Sequence, residues 1–215
     1  MEETALRQSV IDACLELTDI GFVYGTWGNI SVRWEDGMII TPSRISYEQL
    51  KPEDLVYVSI DGRTVRGYNT ASSEKEIHRL IYAARPEINA IVHCHSAYAT
   101  AAADIGDAIP PITEEMCQLI GGEIPATSRF VPSSHHKELG LEASKSIGDK
   151  NALLLRNHGP VCCGRDLAEA MITCRVTEKA AKIYVVTTRK EPAPIDPEWV
   201  ADGRDYFLNR YGKEN

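Results

Sequence analysis

The sequence predicts an α/β protein: a single layered domain over residues 1–215, with a central, mostly antiparallel sheet flanked by helices. Three observations lead there. Two hairpin patterns stand close together before residue 70, "NISVRWEDGMIITP" and "LVYVSIDGRTVRG", each with an Asp-Gly turn signal. From residue 73 the apolar period changes to that of helices, interleaved with short apolar runs. Those strands and helices do not alternate strictly, as a parallel doubly wound sheet would require. A chain of 215 residues, 43% hydrophobic and 25% charged, has the size and composition to bury one substantial core.

Each element has its own justification. Val10, Ile11, Cys14, Leu15 and Leu17 form an apolar face that predicts a helix over about 3–19, ended by Gly21. The hairpins turn at Asp36-Gly37 and Asp61-Gly62. In "SSEKEIHRLIYAARP", Ser73 stands three residues before Glu76, the spacing of a capping box, and Pro86 lies beyond the end. "AIVHCH" (90–95) reads as a strand, followed by a small-residue helix from about Ala97. A strand is expected near 124–127 and a helix near 137–147. "ALLLRNHGPVCCG" reads as two strands broken over 157–160. A long helix over about 167–189 and a short one near 197–210 close the chain.

Charge and patterning exclude several classes. A net charge of −8 and a pI near 5.3 lack the basic footprint that nucleic-acid binding needs, while leaving room for a small anion held by local donors. No apolar run approaches the roughly 18 residues of a membrane span. The opening residues have no basic stretch leading into an apolar core, so no signal peptide is expected and the cytoplasm is the expected compartment. The six cysteines include no Cys-x-x-Cys unit, and Cys162-Cys163 is a poor zinc pair, so reduced thiols are expected.

Three stretches hold the candidate chemistry. In "IVHCHS", strand geometry points His93 and His95 to one side, about 7 Å apart along the backbone, with Cys94 on the other. Two imidazoles can converge on one cation there. One solvated and one hydrogen-bonded ring would account for them equally. His158, between Asn157 and Gly159 in "RNHGPV", brings a third neutral nitrogen, the donor set of open catalytic zinc sites. In "ASSEKE", Ser72, Ser73 and the first-turn amides of a helix can hold an anion such as phosphate, or can simply cap the helix. Glu74 suits the helix dipole, and is equally placed to join a metal or take a proton beside it. In "GTWGNISV" and "TPSR", Gly28, Asn29, Ser43 and Arg44 offer a tight passage and further donors. Their spacing matches neither a P-loop nor a dinucleotide fingerprint.

"GTWGNISVR", "ITPS", "SSE" opening a helix, "IVHCHS" and "NHGPV" follow one another in the order of the class II aldolase/adducin family, which the chain resembles over nearly its whole length. The resemblance implies a single α/β domain around an antiparallel sheet, assembled as a homotetramer with sites between subunits. It implies a divalent ion, Zn2+ or another such as Mn2+ or Co2+, on His93, His95 and His158. Glu74 would be the fourth ligand at rest and the acid/base in turnover. Gly28, Asn29, Ser43, Ser72 and Ser73 match the positions that hold a substrate phosphate. The implied activity is reversible cleavage of a ketose 1-phosphate of the fuculose-phosphate type, to dihydroxyacetone phosphate and a small aldehyde, through a metal-stabilised enediolate.

The chain also departs from that pattern. Arg44 stands where fuculose-phosphate-type aldolases generally have glycine. Glu114 and Glu115 stand near the place of a tyrosine that handles the aldehyde, and the C-terminal tyrosine corresponds to Tyr211, or less closely to Tyr206. His78, one helical turn after Glu74, is read either as its partner or as a packed residue. His135 and His136 are expected at the surface. The same motifs leave open a pentulose-5-phosphate 4-epimerase, a methylthioribulose-1-phosphate dehydratase, a sugar-acid phosphate decarboxylase and a non-catalytic adducin-like module.

Overall fold

The computed structural model describes residues 2–106, 108–187 and 195–210. Seven strands form one sheet: β1 (Asn29–Trp34), β2 (Gly37–Ile40), β3 (Val56–Ser59), β4 (Val65–Arg66), β5 (Ala90–His93), β8 (Ala152–Leu155) and β9 (Gly159–Gly164), in the order β4-β3-β2-β1-β5-β9-β8. Two short strands, β6 (Ala108–Ile109) and β7 (Ile124–Pro125), pair apart from it. Every strand pair is antiparallel.

Helices cover both faces of the sheet. On one side lie α1 (Glu3–Asp19), α3 (Ala97–Ile105) and α5 (Leu167–Thr187), packed on Ile30, Val32, Ala90, Val92 and Cys162. On the other lie α2 (Lys75–Ala84) and α4 (His136–Ile147), packed on Ile40, Val58, Ile91, Leu153 and Cys163. Alternation along the strands sends Cys162 and Cys163 to opposite cores. Because both faces are covered, these strands read as continuous apolar runs although the sheet is antiparallel. Each fully buried Val, Leu or Ile side chain contributes about 1.5–3 kcal/mol to the two cores. The last helix, α6 (Pro197–Asp205), continues into a wider turn over Tyr206–Arg210. No helix among the described residues is long and apolar enough to cross a membrane.

The fold corrects several local expectations. The first hairpin turns on Glu35-Asp36, with Glu35 at φ 51°, and Gly37 already pairs with Trp34. The strand at 90–95 ends at His93, and the strand near 124–127 spans two residues. The interruption between β8 and β9 covers only 156–158. The Ser73–Glu76 capping box does not form. Glu74 occupies the N-cap of α2, Ser72 Oγ accepts from the Glu74 amide at 3.2 Å, and Glu76 pairs with Arg79 instead.

Candidate metal centre and active-site cleft

Antiparallel pairing gathers at one end of the sheet what the sequence separates. Asn29 opens β1 directly opposite His93, the last residue of β5. His93 faces Val161 near the start of β9, immediately after His158. Pro42, beyond the end of β2, bridges to Ala71, and the Ser72 amide donates to the Thr41 carbonyl at 3.0 Å, bringing Ser72 and Glu74 to the same end.

Two glycines permit this convergence. Gly28 sits at φ +135°, and a Cβ there would lie 2.9 Å from Val23 Cγ2 and 3.1 Å from the His93 carbonyl. Gly159 passes so close that a Cβ would fall 2.3 Å from the Cys94 carbonyl oxygen. Removing the side chain is what lets the backbone beside Asn29 and His158 close on the end of β5 and the residue after it. Asn157, also in the left-handed region at φ 55°, donates from its amide to Asp104 and turns the chain into His158.

The three histidine rings meet with centroids 4.8–5.1 Å apart. His93 Nε2 lies 3.2 Å from His95 Nε2 and 3.4 Å from Glu74 Oε2, while His158 Nε2 lies 3.1 Å from Glu74 Oε1. His93 Nδ1 is 2.8 Å from the Pro160 carbonyl, which can only accept, so Nδ1 carries the proton and Nε2 turns a lone pair inward. The convergence of electron-rich nitrogens and carboxylate oxygens calls for a cation. Donors held at 2.0–2.1 Å on a tetrahedral zinc stand about 3.3 Å apart, close to the separations of this cluster. Three histidines and a carboxylate therefore fit a divalent ion, with His93 oriented from behind by Pro160.

Burial shapes the protonation of the group. It pushes His93 down to about 3, against the opposing pull of the Glu74 carboxylate, and His95 down to about 4. Both rings are therefore neutral donors at physiological pH. Burial by itself would raise Glu74. The charge His93 acquires in acid, the contact with His158 and a hydrogen bond from Asn29 outweigh it and hold the carboxyl well below its usual range.

A cleft of about 1010 Å3 opens over this cluster. Gly28, Asn29, Ser43, Ser72, Ser73 and Glu74 line it together with His95 and His158, so the expected phosphate-holding set and the expected ligands share one cavity. His93 is fully buried beneath. Ser72 is buried, Ser43 is half-buried and donates to the Ala71 carbonyl, and Ser73 is exposed. Arg44 also lines the cleft, in a left-handed conformation at φ 67°. Glu114 and Glu115 do not: they engage Gln118 and Lys179. His135 is exposed and contacts Glu138. Tyr211 lies outside the described residues.

Sequence reasoning did not anticipate Ser31 or Tyr82, which extend the buried polar group behind Asn29 and His78. A serine between the apolar Ile30 and Val32, two positions after Asn29, was the available signal. Tyr68 and Phe130, at the cleft wall, left no comparable trace.

The description "Class II Aldolase and Adducin N-terminal domain" matches residues 8–185. The chain belongs to the class II aldolase and adducin family. Within the family it is 34% identical over 196 residues to the L-fuculose phosphate aldolase of Escherichia coli K12, covering 91% of this chain and 90% of that one. It is 33% identical to the L-ribulose-5-phosphate 4-epimerase UlaF of Salmonella paratyphi C, covering 96% and 92%. A solved L-fuculose 1-phosphate aldolase superposes with a TM-score of 0.90 at 30% identity, over 96% of this chain and 98% of that one. YgbL from Escherichia coli, described as a putative aldolase/epimerase/decarboxylase, superposes at 0.84 with 26% identity, over 94% and 99%. As a class II aldolase the chain is an enzyme, and its layered antiparallel fold is that of the family.

Proposed function

We propose that this class II aldolase reversibly cleaves a ketose 1-phosphate to dihydroxyacetone phosphate and a small aldehyde. The observation that carries the reading is Glu74: one carboxylate touches His93 and His158 and also lines the cleft formed by Ser43, Ser72 and Ser73. Residues 1–215 act as one domain, in the cytoplasm, as a homotetramer with sites between subunits. His93, His95, His158 and Glu74 hold Zn2+, or Mn2+ or Co2+ in its place. A divalent ion there supplies positive charge facing the substrate oxygens, polarising the carbonyl and offsetting the negative charge that develops as the C3–C4 bond breaks.

The chain's own residues do the rest. Gly28, Asn29, Ser43, Ser72 and Ser73 bind the phosphate, and that remote binding holds the reacting carbons against Glu74. In the cleavage direction the C4 hydroxyl gives up its proton to solvent as its carbonyl forms, the C3–C4 pair moves to the dihydroxyacetone phosphate fragment, and Glu74, protonated from solvent, delivers a proton to C3, so the proton count is unchanged. In synthesis the carboxylate takes that proton. Tethered between the histidines and Asn29, Glu74 is a poor base. Released from them by substrate, it keeps the burial that raises its affinity for a proton. Tyr211 is assigned to the aldehyde half.

The 33% identity to an epimerase over 96% of the chain favours a second reading, pentulose-5-phosphate 4-epimerisation. Incubation of the metal-loaded enzyme with dihydroxyacetone phosphate in heavy water, followed by NMR of the C3 protons, tests the first. Stereospecific loss of one proton, abolished in Glu74→Gln, supports the aldolase. No exchange with metal bound redirects the assignment to epimerase, dehydratase or decarboxylase substrates.

A further inference from the structure

Behind Glu74 and Asn29 runs a series of buried polar side chains, His78, Ser31 and Tyr82, that the reaction as described does not use. Asn29 Nδ2 is 2.8 Å from Glu74 Oε2, His78 Nε2 is 2.5 Å from Asn29 Oδ1, Ser31 Oγ is 2.7 Å from His78 Nδ1, and Tyr82 Oη is 2.9 Å from Ser31 Oγ. Tyr82, Ser31, His78 and Asn29 are each at most 2% exposed. In a dry interior such a series is stabilising only when every donor meets an acceptor.

That requirement sets the direction of each bond. An ionised carboxylate only accepts, so the atom of Asn29 facing Glu74 is the NH2 group. Its carbonyl oxygen then faces His78, and because it too only accepts, His78 Nε2 carries the hydrogen. The ring, fully buried and touched at its nitrogens only by Asn29 and Ser31 among the described residues, is neutral, which leaves Nδ1 bare. Ser31 Oγ donates to it. The Tyr82 hydroxyl donates to the Ser31 carbonyl oxygen at 3.1 Å and shares that hydrogen with Ser31 Oγ at 2.9 Å. The donors of Ser31, His78 and Asn29 all point toward Glu74, and the Asn29 amide, which cannot pass a proton on, rules out a proton wire.

We propose that His78 is a positioning residue: held as the Nε2–H tautomer by Ser31, it pins the Asn29 amide with both N–H groups on the site side. One hydrogen serves Glu74, and the other remains a donor for the cleft. Without His78 the amide is free to flip. A flipped Asn29 would set its carbonyl oxygen against the carboxylate, weakening Glu74 as ligand and removing a donor from the phosphate end. The inference rests on the reading of Glu74 as metal ligand and acid/base, and not on the identity of the sugar.

The tautomer is read directly on the metal-free wild-type protein labelled with 15N-histidine, with His78 assigned by comparison with His78→Gln. A protonated Nε2 and a bare Nδ1 are expected; an Nδ1–H tautomer or an imidazolium overturns the proposal. Metal binding is then measured by titrating metal-free protein with Co2+ and recording its visible spectrum. His78→Leu is expected to bind Co2+ about 10-fold or more weakly with a changed spectrum, as second-layer substitutions do. His78→Gln, whose amide N–H can replace Nε2–H, is expected to rescue both. Co2+ affinity and spectrum equal to wild type in His78→Leu sink the idea. If His78→Leu does not fold, Ser31→Ala takes its place: an unchanged tautomer and unchanged Co2+ affinity are then the overturning result. Neither readout needs substrate, so failed proton exchange on dihydroxyacetone phosphate removes the aldolase assignment while leaving this test standing.

Discussion

Asn29 and His93 face each other across the β1–β5 ladder, and both reach Glu74 from there, the amide at 2.8 Å and the imidazole at 3.4 Å. An amide that opens one strand and a histidine that ends another thus meet at a carboxylate on the N-cap of a helix. One proposed metal donor and one proposed phosphate donor thus share a ladder rung, so disturbing that rung is expected to damage both functions.

The glycines beside the rung give the first prediction. Gly28→Ala adds a methyl 3.1 Å from the His93 carbonyl at a backbone angle that residues with a Cβ avoid. About 1–3 kcal/mol of stability is expected to be lost. Gly159→Ala is expected to be worse, because the atom it meets at 2.3 Å is backbone oxygen and cannot swing aside. Thermal unfolding and Co2+ titration should both register the change; wild-type behaviour in both would mean that the loops adjust freely.

Glu74→Gln is expected to separate binding from chemistry. The three histidines remain, so the variant should still take up metal, more weakly. At metal saturation, proton exchange on dihydroxyacetone phosphate should fall by roughly 10²–10⁴-fold, the usual worth of a positioned acid/base. Exchange within a few-fold of wild type would assign the proton transfer to another group.

Acid should unfold the metal-free protein early. Burial, with the charge of His93 adding to it and Glu74 opposing, holds His78 at about 3. In the unfolded chain the ring binds a proton below about 6.5. Between those values the unfolded state carries more protons, so stability is complete above pH 6.5 and is lost as pH falls toward 3. His93 and His95 act in the same direction. One fully buried ring is worth a few kcal/mol across that window. Urea unfolding at a series of pH values should show the loss, with a shallower slope for His78→Gln. Equal slopes would contradict the assignment of His78 as a buried neutral ring.

Arg44 is a permanent cation lining the cleft, and among the described residues no carboxylate is paired with it. It holds φ 67°, where glycine is at ease and arginine is strained. Arg44→Gly should therefore raise stability by about 1 kcal/mol while weakening binding of inorganic phosphate and raising KM for the phosphorylated substrate several-fold. Unchanged phosphate affinity would place the guanidinium outside the anion site.

Much of this protein follows from local pattern. The apolar stripe of α1, the two hairpins, the helix after the serine pair and the neighbouring histidines are written in residue type and spacing over a few positions. That information suffices wherever burial of one face decides the conformation, and it predicted a layered antiparallel α/β fold with His93, His95, His158 and Glu74 as candidate ligands. Where two local solutions compete, tertiary contacts chose between them. Ser73 and Glu76 have the spacing of a capping box, but Glu74 took the N-cap because its carboxylate is drawn to Asn29 and the histidines, and Glu76 went to Arg79. His78 read equally well as a packed ring or as a partner of Glu74. It touches Asn29 rather than Glu74, a relation set by how α2 lies against β1 and invisible in helical spacing alone. Ser31 and Tyr82 became part of the site for the same reason: a residue 51 positions away becomes a hydrogen-bond partner only when a sheet and a helix are packed together, and burial then demands that every polar atom be matched.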